Sequence, residues 1–423
     1  MFHRYVVVCI FATLISSYSS AQISIPDRLS LGDAIRATLE SNPEMDRFPI
    51  RREVLSAERE TADLRPGFTL NSELENAFGS GELSGISGSD FTLAISNVIE
   101  MGDKREARVE TVNRRIDILD AEQRVTELDL IAETTFRFID VAAAQQQLNV
   151  QIEATELALE TRNLLQPLVD AGQAPQLEIV RADAAIRRAQ IAQRNSAARL
   201  QSAKIRLSTM WGNQIPGFNT LNTNFFEIGT AGSLNSLLLR LEANPNIVIY
   251  ADEARFQEAR IREAQSRQNA DFQWSAGLRH NRALDDTGLV FSMSMPLNME
   301  ERSAGTLRSA RSSLQEVSVR RESGLNTMRG ELYALHEQLT QAISEAQVLQ
   351  DEILPLLADL IGQTQQAYQA GLYSYIELIS TQQEYLDAEF ALINSLSKVH
   401  TLRAEIERLS GEPLSSSAQG ERQ

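Results

Sequence analysis

The residue types that most often perform catalysis or bind metals are scarce in this chain and widely scattered. Its four histidines, His3, His280, His336 and His400, show no metal-ligand spacing between any two. The single cysteine, Cys9, allows neither an intrachain disulfide nor a cysteine metal cluster. No nucleophile elbow or phosphate-binding loop stands out. We therefore expect no catalytic residue, no cofactor, no resident metal and no enzymatic activity.

Three methionines have side chains that can bind a soft metal ion. Met293, Met295 and Met299 carry thioether sulfurs, which are ligands for such metals. Met293 and Met295, however, alternate with Ser292 and Ser294, and this period of two places them on the apolar face of a strand. We favour that structural interpretation over a metal site.

Two glutamates occupy equivalent positions in two similar stretches. Glu178 and Glu377 each follow an Ala-Gly pair by six residues. In the first turn of a helix, such carboxylates are favoured by the helix dipole. If several copies met around an axis, the same carboxylates would form an acidic ring that attracts cations and resists anions. The elements that position these residues decide between the two interpretations.

Composition favours long helices and an exported protein. The 423 residues include 57 acidic and 40 basic ones, and a net charge of −17 argues against nucleic-acid binding. The chain is 43% hydrophobic but only 6% aromatic, with many Ala, Gln, Glu, Leu and Arg residues. Residues 1–21 combine a basic start, a short apolar stretch and a small-residue cleavage site, which predicts a signal peptide. We expect the destination to be the envelope of a Gram-negative bacterium.

The sequence contains an internal duplication. The stretch at 172–180 matches that at 371–379 at an offset of 199, and Asn42-Pro43 matches Asn244-Pro245 at an offset of 202. The duplication divides the chain into a first repeat at 22–214, a linker at 215–232, a second repeat at 233–411 and a flexible tail at 412–423.

Each repeat contains two segments that alternate apolar and polar residues. They lie at about 68–78, 90–101, 271–281 and 289–298. Their length of about ten residues suits tilted strands that cross a bilayer. We expect the lipid-facing side chains to include Leu70, Leu93, Trp274 and Phe291. Four strands cannot close alone, whereas three chains would supply twelve, so we favour a shared barrel over two hairpins in a soluble sheet.

Long helices follow the strands. The stretch from Asp103 to Pro167 has no internal proline or glycine and could extend roughly 95 Å. In the last helix apolar residues recur every seven positions, and a second such seam lies beside the first; the first seam consists of Leu378, Tyr385, Leu392, Val399 and Ile406. Two adjacent seams suit a closed ring of helices, with hairpin tips at about 168–176 and 367–375.

These features resemble the TolC family of outer-membrane efflux channels and, within it, the CzcC/CusC branch that serves heavy-metal efflux. Four stretches carry the resemblance: Leu31-Gly-Asp-Ala-Ile with Asn42-Pro43, Glu73-Leu-Glu-Asn76, Ile99-Glu-Met-Gly-Asp-Lys-Arg105 followed by Arg108, and the doubled Ala171-Gly172 and Ala370-Gly371.

The resemblance implies a mostly α fold with a small β part, organised as a trimeric α/β-barrel. Each chain would give four transmembrane strands and two long coiled-coil hairpins to a twelve-stranded outer-membrane barrel and a twelve-helix periplasmic tunnel. The expected partners are two further copies, outer-membrane lipid, a periplasmic adaptor and an inner-membrane pump of RND type, with no nucleic acid.

The resemblance also implies roles for residues near the tips. Glu377, Glu178 and Tyr368 match positions that form a closed periplasmic aperture. Gly172, Gly371, Leu372 and Tyr375 fall at the hairpin tips, where the adaptor would bind. The sequence departs from the best-known member at Tyr373 and Ser380, which weakens the case for a salt-bridged lock.

The expected function is that of a passive export duct in a tripartite efflux system for heavy-metal cations. One alternative is the same channel serving drug efflux or type I protein secretion. An alternative from another class is a periplasmic adaptor, which should have one coiled-coil hairpin and several compact β-domains rather than two hairpins and four strands.

Overall fold

The computed structural model describes residues 25–411, so the expected signal peptide and the expected flexible tail lie outside the described residues. The described chain is mostly helical with a small β part, which confirms the fold class. The first repeat contains β1 (Arg28–Leu29), α1 (Leu31–Ser41), α2 (Pro43–Asp63), β2 (Thr69–Glu75), β3 (Asp90–Ile99), α3 (Lys104–Asp170) and α4 (Gln176–Ser208). The linker carries β4 (Thr220–Leu221). The second repeat contains α5 (Leu234–Arg240), α6 (Pro245–Ser266), β5 (Phe272–Asn281), β6 (Asp286–Ser294), α7 (Met299–Val348), α8 (Leu354–Gln369) and α9 (Tyr375–Ser410).

The four long strands form one antiparallel sheet in the order β2-β3-β5-β6. On its polar face, side chains bond across strands, as between Asn71 and Ser96 (2.9 Å) and between Ser275 and Ser292 (2.8 Å). Two expected boundaries were wrong. β2 ends at Glu75 rather than 78, because a positive φ of 55° at Asn76 breaks the extended backbone. β6 spans 286–294 rather than 289–298, because the connecting loop is shorter than expected.

A second, two-stranded parallel sheet was not predicted. Arg28 pairs with Thr220 and Leu29 with Leu221, which joins the start of the first repeat to the linker. Two residues per strand are too few to show a period of two in sequence. Leu29 is nevertheless fully buried, so this small sheet belongs to the core where the linker meets the first repeat.

The junction between sheet and helices depends on local backbone geometry and a buried ion pair. Gly102 has a φ of +77°, and a Cβ atom there would overlap the Asn269 side chain. Lys104, almost buried, places Nζ 2.7 Å from Asp271 Oδ1, and the same oxygen accepts the Met101 N–H. These contacts fix the start of α3 against the strand that begins at residue 272.

The long helices pack side by side as one layer. α3 has 67 residues and spans about 100 Å. In the half of the layer near the hairpin tips, the helices lie in the order α4, α3, α9, then α7 with α8. In the half near the large sheet, the order is α2, α3, α6, α7. The α9 positions Leu378, Leu392, Val399 and Ile406 are buried as their seven-residue spacing predicts. No helix within residues 25–411 combines the length and apolarity needed to cross a membrane.

The second long helix differs from the first by one irregular turn. Residues Leu349–Ile353 form a π-helical turn between α7 and α8, whereas α3 is continuous. From its start to its tip the second helix is four residues longer than the first. A four-residue insertion locally unwinds coiled-coil packing, and a π-turn is one way to absorb extra residues. The sequence predicted the long helices but not this turn.

Candidate functional site at the helical tips

Both hairpin tips end their long helix with the same turn. Gly172 and Gly371 have φ values of +73° and +71°, in the left-handed region that favours glycine. In the second tip the Leu372 N–H donates to the Ala367 carbonyl at 2.9 Å, and the first tip has the equivalent bond at 2.8 Å. This pattern is a Schellman motif, which satisfies the last carbonyls of each helix and reverses the chain.

One hydrogen bond joins the two hairpins just behind the tips. The Tyr368 hydroxyl, at the end of α8, donates to Glu178 Oε2 in the first turn of α4 at 2.6 Å. Tyr368 is only 7% exposed and packs in a small core with Leu165, Ile179 and Leu378. Burial and the bond to Glu178 raise the pKa of Tyr368 above its ordinary value, so the hydroxyl remains a donor. Two of the three expected aperture residues are thus in direct contact.

The third expected aperture residue, Glu377, has a different environment from its counterpart. It is exposed, and Oε2 accepts the Ser374 N–H at 2.6 Å while the Ser374 hydroxyl accepts the Glu377 N–H. This is a capping box. The backbone bond from Ser374 lowers the pKa of the Glu377 carboxyl. The first tip has Pro175 in place of Ser374 and no side-chain cap, which leaves Glu178 free to accept from Tyr368.

The expected adaptor-contact residues separate into exposed and buried groups. Leu372 is 77% exposed, and Tyr373 and Ile376 beside it are also exposed. The assignment of Tyr375 to a surface contact was wrong, because this side chain is 7% exposed and packs inside the tip core. Leu378, one turn further along α9, is buried in the same core, so this face of α9 points inward. The apolar surface of the second tip therefore comes from the turn and from the outer face of α9.

The expected lipid-facing residues all lie on one face of the large sheet. The strand register aligns Leu70, Leu93, Trp274 and Phe291 with this face. Leu70, Leu93 and Phe291 are exposed, whereas Trp274 is partly covered by Phe68, whose ring lies 6.4 Å away edge to face. Met293 is opposite Trp274 on the same face. An apolar face and a hydrogen-bonded polar face therefore coexist on one sheet.

Each repeat contains a buried asparagine that joins the start of one helix to the end of another, which was not predicted from the sequence. Asn244 is fully buried; its Oδ1 caps α6 by accepting the Asn246 N–H at 2.8 Å. Its Nδ2 donates to the last carbonyls of α9, at Arg408 and Leu409. Asn42 makes the same cap on α2 and donates to the Met210 carbonyl after α4 at 2.8 Å. The Asn-Pro pair that occurs in both repeats was the sequence signal that could have revealed this contact.

The outer edges of the helical layer keep apolar side chains in contact with solvent. On α4 the exposed positions recur every seven residues: Leu177, Ala184, Ile191, Ala198 and Ile205. The opposite edge, on α7 and α8, exposes Val319, Tyr333, Val348 and Leu356. A seven-residue stripe is the pattern of a coiled-coil seam, so the stripe on α4 lacks a packing partner in the single chain.

The described part of the chain offers no metal centre built from the usual ligands. Among residues 25–411 no three His, Cys, Asp or Glu side chains are grouped so as to hold a metal ion. His336 and His400 each contact a carbonyl oxygen of the linker, at Gly232 and Phe225, rather than one another. The tips themselves present the hydrogen-bonded carboxylates of Glu178 and Glu377 and the exposed side chain of Leu372.

Comparisons with known proteins agree with this arrangement. Residues 34–213 match the family described as outer membrane efflux protein. The cobalt-zinc-cadmium resistance protein CzcC of Cupriavidus metallidurans is 22% identical over 313 residues, which cover 74% of this chain and 75% of that protein.

Solved outer membrane channels share the fold. The open state of the MtrE channel of Neisseria gonorrhoeae has a TM-score of 0.69 at 16% identity, over 91% of this chain and 89% of that one. The CmeC channel of Campylobacter jejuni has a TM-score of 0.66 at 16% identity, over 92% and 89%. CusC has a TM-score of 0.64 at 15% identity, over 90% and 92%.

Proposed function

We propose that three copies of this chain, whose residues 34–213 match the outer membrane efflux protein family, form one passive duct from the periplasm through the outer membrane. The duct would serve a tripartite efflux system, with a periplasmic adaptor at its tips and an inner-membrane pump of RND type that supplies the energy. The chain itself would do no chemistry on the transported substrate.

The observation that carries this proposal is the set of unpaired edges. In every layer one edge belongs to the first repeat and the other to the second: β2 and β6 in the sheet, α2 and α7 near the sheet, α4 and α7 with α8 near the tips. When two different edges of one chain are complementary, copies join head to tail and close into a ring if the rotation allows it. The exposed seam on α4 would then pack against the exposed face of α7 and α8 of the next copy.

The size of the sheet supports three copies. Two copies would bring eight strands, which leave an interior that side chains fill, whereas three bring twelve. The face that contains Leu93 and Phe291 would meet lipid, and the face that contains Asn71 and Ser292 would line the lumen. Unpaired strand edges are not tolerated in lipid, so β2 and β6 must pair between copies.

The acidic residues at the tips support a cationic substrate. Around a three-fold axis, Glu377 and Glu178 would each contribute three carboxylates near the periplasmic end, and such rings favour cations over anions. The relative CzcC is named for resistance to cobalt, zinc and cadmium. We therefore infer heavy-metal cations as the substrate class, with drug efflux or protein secretion as the alternatives.

Metal export in cells tests this function. The chain is expressed in a Gram-negative strain that lacks its own efflux channel, together with an adaptor and an RND pump from the same organism as the chain. Cell-associated zinc, cobalt and cadmium should fall only when the chain is present, while accumulation of a fluorescent drug stays unchanged. A fall in the drug alone would replace the metal substrate by the drug alternative, and no change in either would refute the efflux duct.

A further inference from the structure

A tyrosine and two carboxylates meet where the two hairpins touch. The Tyr385 hydroxyl, on α9, donates to Glu389 Oε1 at 3.2 Å. Glu153, on α3, acts on both Tyr385 and Glu389 through its charge. The second oxygen of Glu389, Oε2, is buried and has no hydrogen-bond partner. α3 belongs to the first hairpin and α9 to the second, so this cluster bridges them.

Such a cluster is sensitive to one proton. A buried carboxylate oxygen without a partner is costly, and a second carboxylate nearby adds repulsion. Burial first, and the Glu153 charge second, raise the pKa of Glu389 to about 7, although the Tyr385 bond opposes the shift. Near neutral pH, Glu389 therefore exists in both protonation states.

α9, which carries Tyr385 and Glu389, also contacts an irregular turn of the neighbouring long helix. α9 packs against α3 on one side and against the π-turn at Leu349–Ile353 on the other. Helices bend most readily at such turns. If the contact between α3 and α9 weakens, the second hairpin can therefore bend at the π-turn. The first hairpin has no such turn, because α3 is continuous.

We propose that Glu389 and Glu153 form a proton-controlled contact between the two hairpins. With Glu389 protonated, the hairpins stay packed along α3 and α9. With Glu389 ionised, the contact loosens and the second hairpin swings outward at the π-turn. Insofar as the tips close a duct, which rests on the function proposed above, a rise in pH would widen its periplasmic end.

The direction of the pH effect follows from the pKa of Glu389. The packed form has a pKa of about 7, whereas a solvated glutamate has one near 4.5, so the packed form binds the proton more tightly. The packing of α3 against α9 is therefore most stable below about pH 4.5, where Glu389 is protonated in both forms. It loses this stabilisation as the pH rises through about 7.

The other charged groups nearby do not reverse this direction. Asp351, Glu352 and Asp359, on the π-turn and α8, are exposed. Arg188 of α4 lines the adjoining groove and acts on Tyr375, whereas Glu153 is the carboxylate that acts on Glu389.

Distance measurements between spin labels test the contact directly. Labels are placed at Glu160→Cys on α3 and Ser380→Cys on α9, both exposed, in a full chain with Cys9→Ser. Particles are assembled mainly from unlabelled copies, so that each labelled chain reports its own distance. Between about pH 4 and about pH 9 the distance should lengthen, with a midpoint between about pH 4.5 and about pH 7.

Three variants separate the proposal from a general effect of pH. Glu389→Gln, an uncharged side chain of equal size, should keep the short distance throughout. Glu153→Gln should move the midpoint to lower pH, because it removes the repelling charge. Glu384→Gln, exposed on the same helix, should follow the parent.

A parent distance that does not change with pH, or a Glu389→Gln profile that equals the parent profile, would overturn the proposal. If the distance profile failed while metal export persisted, only the contact would be refuted. If export failed while the profile held, only the efflux function would be refuted.

Discussion

The two glutamates at equivalent positions show how far a single residue's role depends on its neighbours. Glu178 accepts a hydrogen bond from Tyr368, which is 190 residues further along the chain, whereas Glu377 caps its own helix through Ser374. The sequence identified both positions because the duplication aligns them. It could not predict their different environments, because Tyr368 meets Glu178 only through the packing of one repeat on the other.

Replacing Glu377 with Gln tests the charge at the tips. We expect purified particles in planar bilayers to lose cation preference, because the amide keeps the cap but removes three charges per ring. Glu384→Gln, exposed on the same helix, should keep the parent selectivity. Equal selectivity in all three proteins would show that Glu377 is only a helix cap.

The pH dependence of the same conductance has a definite sign. The bond from Ser374 lowers the pKa of Glu377, so the carboxyl stays ionised below the ordinary glutamate value of 4.5. Cation preference in the parent should therefore persist as the pH falls to about 4.5 and disappear only in more acidic solution. Loss of preference already above this value would contradict the assignment.

Adjacent residues on β6 offer a matched test of the lipid-facing side. Phe291 and Ser292 are both exposed in the single chain but lie on opposite faces of the sheet. Phe291→Arg should impair assembly, at a cost of roughly 2–4 kcal/mol if the site lies near the bilayer midplane. Ser292→Arg should assemble into the outer membrane. Heat-resistant oligomer on a gel measures both, and equal yields would refute the assignment of faces.

Among the elements, periodic ones were predictable and irregular ones were not. The alternation around Phe291 and the seven-residue spacing of Leu392 and Val399 identified the strands and the coiled-coil helices, because burial on one face imposes a period on the sequence. The two-residue strands β1 and β4 and the π-turn leave no periodic signal. The extra four residues of the second long helix were hidden in the sequence, because the offset between the repeats falls from 202 at Asn42-Pro43 to 199 at the tips.

Valine at Gly371 tests whether backbone conformation sets the tip. Space is not limiting, since no atom lies within 4 Å of a Cβ added there, so the strain comes from the φ of +71° alone. We expect Gly371→Val to destabilise the hairpin by about 1–2 kcal/mol and to weaken crosslinking to the adaptor. Gly362→Val, in the body of α8 with equally open space, should change crosslinking little.

For the whole molecule, the sequence predicted that one chain needs further copies to complete its sheet. It did not predict which strands and helices lie at the unpaired edges. Four strands with an apolar face require partners, which is a conclusion about number and length. Which helix stands at an edge depends on the order of packing, and that order places α4 and α7 with α8 outermost. The role of the apolar stripe that contains Ile191 therefore depends on this order of helices, which the sequence does not specify.

A charge on the α4 seam should prevent the ring from closing. Ile191 is 52% exposed in the single chain and belongs to the seven-residue stripe. Ile191→Glu should reduce the yield of oligomer, because the carboxylate would be buried against the next copy without a partner. Gln190→Glu, exposed but outside the stripe, should leave the yield unchanged. Equal yields would place the contact between copies elsewhere.

The mass of the particle extracted from the outer membrane in mild detergent shows how many chains share one duct. Native mass spectrometry of the purified protein should show three copies of the chain, because β2 and β6 need partners and twelve strands close one barrel. A stable, folded monomer or dimer with the same helical content would contradict the shared duct.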